Sequence, residues 1–233
     1  MVVIVELFCG TKSFTKEAEK LGHKCFTVDF NKKFNPDLCI DVMDLEISMF
    51  PLEYQTPDII WASVPCTQYS HAKRRGVRKI DYANKIVLKT LSLIKQFKQL
   101  KSTPIIWIME NPQTGLLKNQ PFMQGIPYSD ASYCKYGYSY RKQTRFWSND
   151  YFVLQTCNED CESMVGKKHK GSAGNGRKKY SDKSYNLTEK YSIPPKLCQD
   201  ILRQALNTLT KLNDGNDGIP PKPKDLGILP TII

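Results

Sequence analysis

Acidic side chains are scarce in this chain of 233 residues: 23 Asp and Glu stand against 34 Lys and Arg, for a formal charge of +11 at pH 7 and a pI near 9.2. That balance disfavours a neutral housekeeping fold and points to a polyanionic partner, nucleic acid first. A solvated, lysine-rich surface from an AT-rich genome gives the same charge, so charge alone decides little. The chain also lacks an apolar run of about 18 residues, which excludes a membrane-spanning helix and a membrane partner. No basic stretch with a cleavage site precedes the first apolar strand, so no secretory signal is expected. Eight cysteines without such a signal read as reduced thiols in an intracellular compartment. There is no internal repeat.

What is present is an alternation of short apolar runs and helical patterns. The stretch from Met1 to Phe8 is a strand, followed by a glycine-bearing turn and a helical pattern from Phe14 to Leu21 closed by Gly22. Cys25–Val28 and Leu38–Ile40 read as further strands, each followed by an aspartate, Asp29 and Asp41. Tyr82–Leu100 is the clearest amphipathic helix, with Ile86, Val87, Leu91, Ile94 and Phe97 on one face and lysines on the other. A final helix covers Leu197–Leu212 after Pro194-Pro195, and Ser132–Phe152 is aromatic and β-like. Strands alternating with helices predict an α/β fold with a mostly parallel, Rossmann-like sheet and right-handed crossovers. The length fits one domain with a small appendage. The expected division is a catalytic domain from 1–147 and 188–212, a small segment from 148–187, and a tail from 213–233.

Two runs carry the chemistry. Pro57–Val64 ends in Pro65-Cys66-Thr67-Gln68-Tyr69-Ser70, and Thr103–Met109 ends in Glu110-Asn111-Pro112. If both are buried parallel strands, their polar ends emerge at the carboxyl edge of the sheet, where open α/β sheets bind ligands. A thiol and an acid at one sheet edge form a candidate site. The turn after the first strand, Glu6-Leu7-Phe8-Cys9-Gly10-Thr11-Lys12-Ser13-Phe14, brings backbone close to a ligand and aims helix amides at anionic groups. Asp29 is placed to hold a ribose and Asp41 to accept from an adenine amino group, which suits any nucleoside-containing cofactor.

Taken in order with Arg145, these motifs resemble the cytosine-5 DNA methyltransferases. Glu6 to Phe14 is similar to the family's opening acidic-Leu-Phe-x-Gly-x-Gly, with Lys12 where a second glycine is usual. Pro65-Cys66-Thr67-Gln68-Tyr69-Ser70 is similar to Pro-Cys-Gln-x-Phe-Ser, and Glu110-Asn111-Pro112 to Glu-Asn-Val. Arg141-Lys142-Gln143-Thr144-Arg145 keeps only the last arginine of Gln-x-Arg-x-Arg, and Tyr191-Ser192-Ile193-Pro194-Pro195 keeps the prolines of the closing motif. The resemblance covers residues 1–152 and 188–206.

It implies methyl transfer from S-adenosylmethionine to carbon-5 of a cytosine flipped out of duplex DNA. Cys66 is then the nucleophile at carbon-6, Glu110 the acid or donor at N3, and Arg145 the partner of the carbonyl oxygen. The cofactor would be lined by Phe8, Gly10, Thr11, Ser13, Phe14, Asp29, Asp41, Val42, Pro65 and Ser192. Ser70, Lys73, Arg74, Arg75 and Arg78, in the loop after the nucleophile, would meet DNA, with Tyr69 beside the flipped base. Small size and composition resemble viral or phage members, which implies a host cytoplasm or nucleus; a monomer is favoured, with the oligomeric state left open. A tRNA cytosine-5 methyltransferase would share the motifs; a catalytically silent DNA-binding homologue would lose the thiol or the acid; a generic Rossmann-like module would need neither.

Outside these motifs, Cys157 and Cys161 stand four residues apart with His169 downstream and Cys134 upstream. This donor set suits Zn²⁺ and would order a loop that has no core, although polar loop residues without a metal would look the same. The family's target-recognition region falls in the short segment 148–187, which predicts a recognition site of about two to four base pairs. Bisulfite sequencing of a plasmid methylated to saturation measures it; a site of six or more defined base pairs would contradict the prediction.

Overall fold

The computed structural model describes residues 1–73, 75–171 and 187–214. Arg74 and the tail from 215 onward lie outside them, as do 172–186 of the small segment. The elements are β1 (Val3–Leu7), α1 (Ser13–Lys20), β2 (Lys24–Asp29), β3 (Leu38–Cys39), β4 (Ile59–Ser63), α2 (Ile80–Leu100), β5 (Ile106–Pro112), β6 (Tyr128–Ser132), β7 (Gln143–Ser148), β8 (Met164–Val165), β9 (Lys168–His169), α3 (Leu187–Tyr191) and α4 (Pro195–Asn213). Strands β1 to β7 form one sheet in the order β3-β2-β1-β4-β5-β7-β6. The first five run parallel, β7 runs antiparallel to β5 and β6 antiparallel to β7, so β7 alone is reversed in a Rossmann-like arrangement with its topological switch between β1 and β4. No described helix is long and apolar enough to cross a membrane.

Alternation along the strands divides the core into two layers. Val5, Leu7, Ile60, Ala62, Trp107 and Met109 face α2, which buries Val87, Leu93, Ile94 and Phe97 at helical spacing. Ile4, Ile59, Trp61, Ile106, Ile108 and Phe146 face the other way, against α1 and α4. There Phe14 stacks on Trp61 with ring centroids 4.3 Å apart. The aromatic stretch expected to be continuously β-like is interrupted: β6 ends at Ser132, a 3₁₀ turn runs through Tyr133–Tyr136, and Gly137 at φ 91° turns the chain into β7. Gly137 allows that left-handed turn because it has no Cβ. Phe152 packs in the main core, so the small segment starts inside the large domain's packing.

The turn from β1 to α1 is strained. Phe8, Gly10 and Lys12 have φ of 55°, 47° and 54°. The left-handed backbone at Lys12 is the physical reason a glycine is usual there; a lysine in that region costs roughly 1–2 kcal/mol. Two buried carboxylates hold the turn. Asp29, ending β2, accepts the Gly10 N–H at 3.0 Å. Glu6, inside β1, accepts the Thr15 N–H at 2.9 Å, which caps the first turn of α1 where Lys12 makes no side-chain cap. Burial pushes the Glu6 carboxyl up to about 7, partly offset by its bonds to Thr15 and by the Lys12 charge.

Between the usual carboxylate range and pH 7, folded protein therefore holds a proton on Glu6 that unfolded chain has released. Stability falls as pH rises through that window and levels off above it. Glu6→Gln keeps an acceptor for Thr15 and cannot titrate. Thermal melts from pH 4.5 to 8 should show a smaller loss of melting temperature in this variant than in the parent; identical slopes would contradict the assignment.

Candidate active site

The carboxyl ends of β1, β2, β4 and β5 open into two cavities that share Phe8, Asp29, Phe30, Pro65 and Thr67. The larger, about 330 Å³, is walled by Cys66, Glu110 and Lys142 and reaches the Gly10–Ser13 turn. The smaller, about 260 Å³, lies against Ile40, Asp41, Val42 and the start of α2. The sheet register makes the first wall: β4 and β5 run parallel with Ser63 opposite Glu110. Cys66 follows Ser63 by three residues in a turn whose Cys66 carbonyl accepts from the Tyr69 and Ser70 amides at 3.0 and 2.9 Å. Asn111 donates to the Val64 carbonyl at 2.9 Å and so ties that turn to the end of β5. Tyr69, expected beside a flipped base, is instead fully buried, with its hydroxyl on Asn84 at 2.8 Å. It anchors the loop.

Burial dominates the electrostatics. Glu110 is 7% exposed, and its Oε1 is buried without a hydrogen-bond partner. Desolvation raises its pKa, opposed by the Lys142 ammonium 3.9 Å away. Cys66 is half-buried, and its thiol is pushed up by desolvation and then by the Glu110 charge, with Lys142 pulling the other way. At rest the thiol keeps its proton, while the carboxyl is biased toward holding one. Lys142 is itself held over the Tyr133 ring at 4.7 Å, its Nζ 3.3 Å from the Tyr133 hydroxyl.

Arg145, expected as the catalytic arginine, is not in this wall. Its guanidinium donates to both oxygens of Asp130 at 2.8 Å each and lies 3.4 Å over the Tyr128 ring. The reason is strand parity: on β7 the side chains of Gln143, Arg145 and Trp147 point opposite to those of Thr144 and Phe146. Lys142, just before β7, supplies the cation beside Glu110. Sequence reasoning passed over it because the motif comparison matched arginines by type and ignored the face.

Most expected cofactor residues come together. Phe8, Gly10, Thr11, Ser13, Asp29 and Pro65 line the larger cavity, and Asp41 and Val42 the smaller. Phe14 does not, being fully buried beneath the turn. Ser192 is not a lining residue either, but its neighbours Tyr191 and Ile193 are, and the Ile193 amide donates to Ser13 at 3.1 Å. Asp29 and Asp41 each accept backbone amides, from Asn31 and Met43 besides Gly10, and keep lone pairs for a ligand. Phe30 was not singled out by sequence. It is 66% exposed and lines both cavities. The legible signal was an aromatic residue directly after a strand-ending acid.

In the loop after Cys66, the expected DNA contacts mostly fold the loop itself. Arg78 donates to the carbonyls of Gln68, Ser70 and Lys73, and Lys73 to Gln68 and Val77. The Ser70 hydroxyl accepts from the Ala72 amide. A carbonyl cage satisfies the half-buried Arg78 guanidinium as well as a phosphate does. Arg75 is exposed.

No family model matches the chain. A protein of Frog virus 3 (isolate Goorha) named "Probable DNA (cytosine-5)-methyltransferase" is 29% identical over 222 residues, covering 85% of this chain and 98% of that one. The resemblance read from the motifs thus has a full-length counterpart. Among solved structures, a "putative DNA modification methyltransferase encoded within prophage" of E. coli aligns with TM-score 0.48 and 17% identity, over 64% of this chain and 46% of that one. A mutant of Spodoptera frugiperda DNMT2 aligns with TM-score 0.43 and 14% identity, over 68% and 54%. The chain spans about half the length of these two structures.

The charges around Cys66 predict opposite effects on its thiol. Glu110→Gln removes the charge that raises the thiol pKa, so Cys66 should be alkylated faster by iodoacetamide at pH 8; Lys142→Met should slow it. Half a pKa unit changes the thiolate fraction about threefold. Peptide mass spectrometry resolves Cys66 from the other cysteines, and equal rates in all three proteins would contradict the electrostatic reading.

Proposed function

We propose that the chain is a DNA (cytosine-5)-methyltransferase that uses S-adenosylmethionine and forms a covalent adduct between Cys66 and a flipped cytosine. The observation that carries the proposal is the Cys66–Glu110–Lys142 wall at the ends of β4 and β5, opening into the same cavity as the Gly10 turn and Asp29. The named viral relative supports it across nearly its whole length.

The cleft suits the cofactor. The exposed Phe30 ring offers a face for a purine, Asp29 and Asp41 accept from ribose hydroxyls and an exocyclic amine, and the amides opening α1 attract a carboxylate. S-adenosylmethionine supplies an electrophilic methyl group when bound. Cytosine is a poor nucleophile at carbon-5, so the Cys66 thiol releases its proton to solvent and the thiolate adds at carbon-6. Electron density moves toward N3, where Glu110, biased toward its protonated form by burial, donates a hydrogen bond or a proton. Lys142 takes the place expected for Arg145, neutralising the developing charge beside Glu110. After methyl transfer a base removes the carbon-5 proton, the ring regains its double bond and the Cys66 sulfur leaves. Residues 1–147 and 188–212 form the catalytic unit in this reading, and 148–187 the recognition segment. Arg75 and a reopened 70–79 loop provide phosphate contacts.

Fluorine at carbon-5 blocks loss of the proton. DNA containing 5-fluorocytosine should therefore become attached to the protein, resistant to denaturation, only when S-adenosylmethionine is present. Cys66→Ser should give no adduct while retaining nonspecific DNA affinity. Glu110→Gln should slow methylation roughly 10²-fold, the scale of a lost general acid. Tritium transfer to duplex DNA, single-stranded DNA and tRNA side by side selects the substrate. An adduct that persists in Cys66→Ser, or transfer to tRNA alone, would overturn the proposal.

A further inference from the structure

From Val153 to Gly171 the small segment has almost no core of its own: its buried side chains are Cys157 and Cys161. With Cys134 they form a cluster separate from both main layers, joined only by the partly buried Met164. Three thiols and a thioether bury too little apolar surface to order such a length of chain. Yet the chain converges there from three places. Cys134 lies in the turn after β6, Cys157 and Cys161 flank a loop, and His169 lies on β9. One donor atom from each of the four falls within 4.8 Å of all the others, and Cys157 Sγ is 3.4 Å from His169 Nε2. In a tetrahedral zinc site with Zn–S near 2.3 Å, donor atoms stand roughly 3.5–3.8 Å apart. The four are therefore gathered almost to coordination distance.

We propose that Cys134, Cys157, Cys161 and His169 bind one structural Zn²⁺ that fastens the small segment to the catalytic domain. Three thiolates and an imidazole form a soft, closed, four-ligand set that suits this ion and leaves no open position for catalysis. Binding releases three thiol protons to solvent and leaves the ligands one negative charge in excess of the metal. The surroundings complement that excess. Lys135 faces the Cys157 and Cys161 sulfurs from its ion pair with Asp160 at 2.7 Å, and Arg141 faces His169.

The ion would hold the β8–β9 hairpin, whose turn carries exposed Lys167 next to Gly166 at φ 59°. The hairpin is already docked by Ser163 on the Tyr138 carbonyl at 3.0 Å and by the Gly171 amide on the Ser139 carbonyl at 2.7 Å. Cys134 directly follows Tyr133, whose ring supports Lys142. The metal would thus sit one residue from the wall of the active-site cavity, without depending on what that cavity does.

The full chain purified without added metal should contain about one zinc per molecule by elemental analysis. Exchange with Co²⁺ should give the intense visible bands of a tetrahedral thiolate site. Cys157→Ser and Cys161→Ser should lose the zinc and melt at lower temperature, whereas Cys39→Ser, on the exposed edge strand, should change neither. If the serine variants do not fold, chelator treatment of the parent followed by zinc titration gives the same reading, since melting temperature should fall and then recover at one equivalent. His169→Cys should retain the metal. Metal-free protein whose melting is unchanged by zinc, a disulfide among the three cysteines, or iron in place of zinc would each overturn the proposal.

Discussion

The parallel pairing of β4 with β5 is the constraint on which the site depends. Its register puts Ser63 beside Glu110, so the turn after β4 delivers Cys66 to the cavity that the end of β5 supplies with an acid. Side chains alternate along a strand, so a slip of one residue would turn Glu110 toward the opposite face. The register is locked by burial on both faces, where Ile59, Trp61, Ile106 and Ile108 pack on one side and Ile60, Ala62, Trp107 and Met109 on the other. The Asn111 amide on the Val64 carbonyl extends the lock beyond the sheet to the turn that holds Cys66.

The same burial that fixes the site sets its protonation. Glu6 and Glu110 are carboxyls inside an apolar sheet, both pushed toward the neutral form by desolvation. Their uses differ because their partners differ. Glu6 caps α1 by accepting from Thr15 and so builds the turn that lines the cavity, whereas the Glu110 Oε1 has no hydrogen-bond partner among the described residues, with the Lys142 ammonium 3.9 Å away. A buried polar atom without a hydrogen bond costs on the order of 1–3 kcal/mol, a cost a ligand donating to Glu110 would relieve. Lys142 tempers both neighbours, lowering the pKa of the acid and of the thiol.

Much of this was legible in the sequence. Apolar runs ending in Cys66 and Glu110 announced parallel strands, and Asp29 and Asp41 after shorter runs line cavities at the same edge. Helices α1, α2 and α4 were read from their spacing to within a few residues, and the five-residue α3 was not. Some expected residues stand elsewhere for reasons that spacing does not encode. Arg145 matched a motif by type but lies on the wrong face of β7. Lys73 and Arg78 looked like free charge, yet the loop curls so that its own carbonyls take them. Phe14 fits the opening motif, but α1 turns its ring down onto Trp61. Phe30 was missed because an exposed aromatic residue gives no periodic signal.

The sequence by itself determined which elements form and which chemical groups end them, because periodicity and strand-ending polar residues are local properties of the chain. It also showed a lysine at position 12 where a glycine is usual; the cost of that lysine came from the left-handed backbone the tertiary structure imposes there. Only the tertiary structure decided which cation stands beside Glu110. That choice depends on strand parity and on Asp130 capturing Arg145 from the neighbouring strand. Only the tertiary structure brought Cys134 to Cys157, Cys161 and His169, since proximity across separate elements is a property of how they pack.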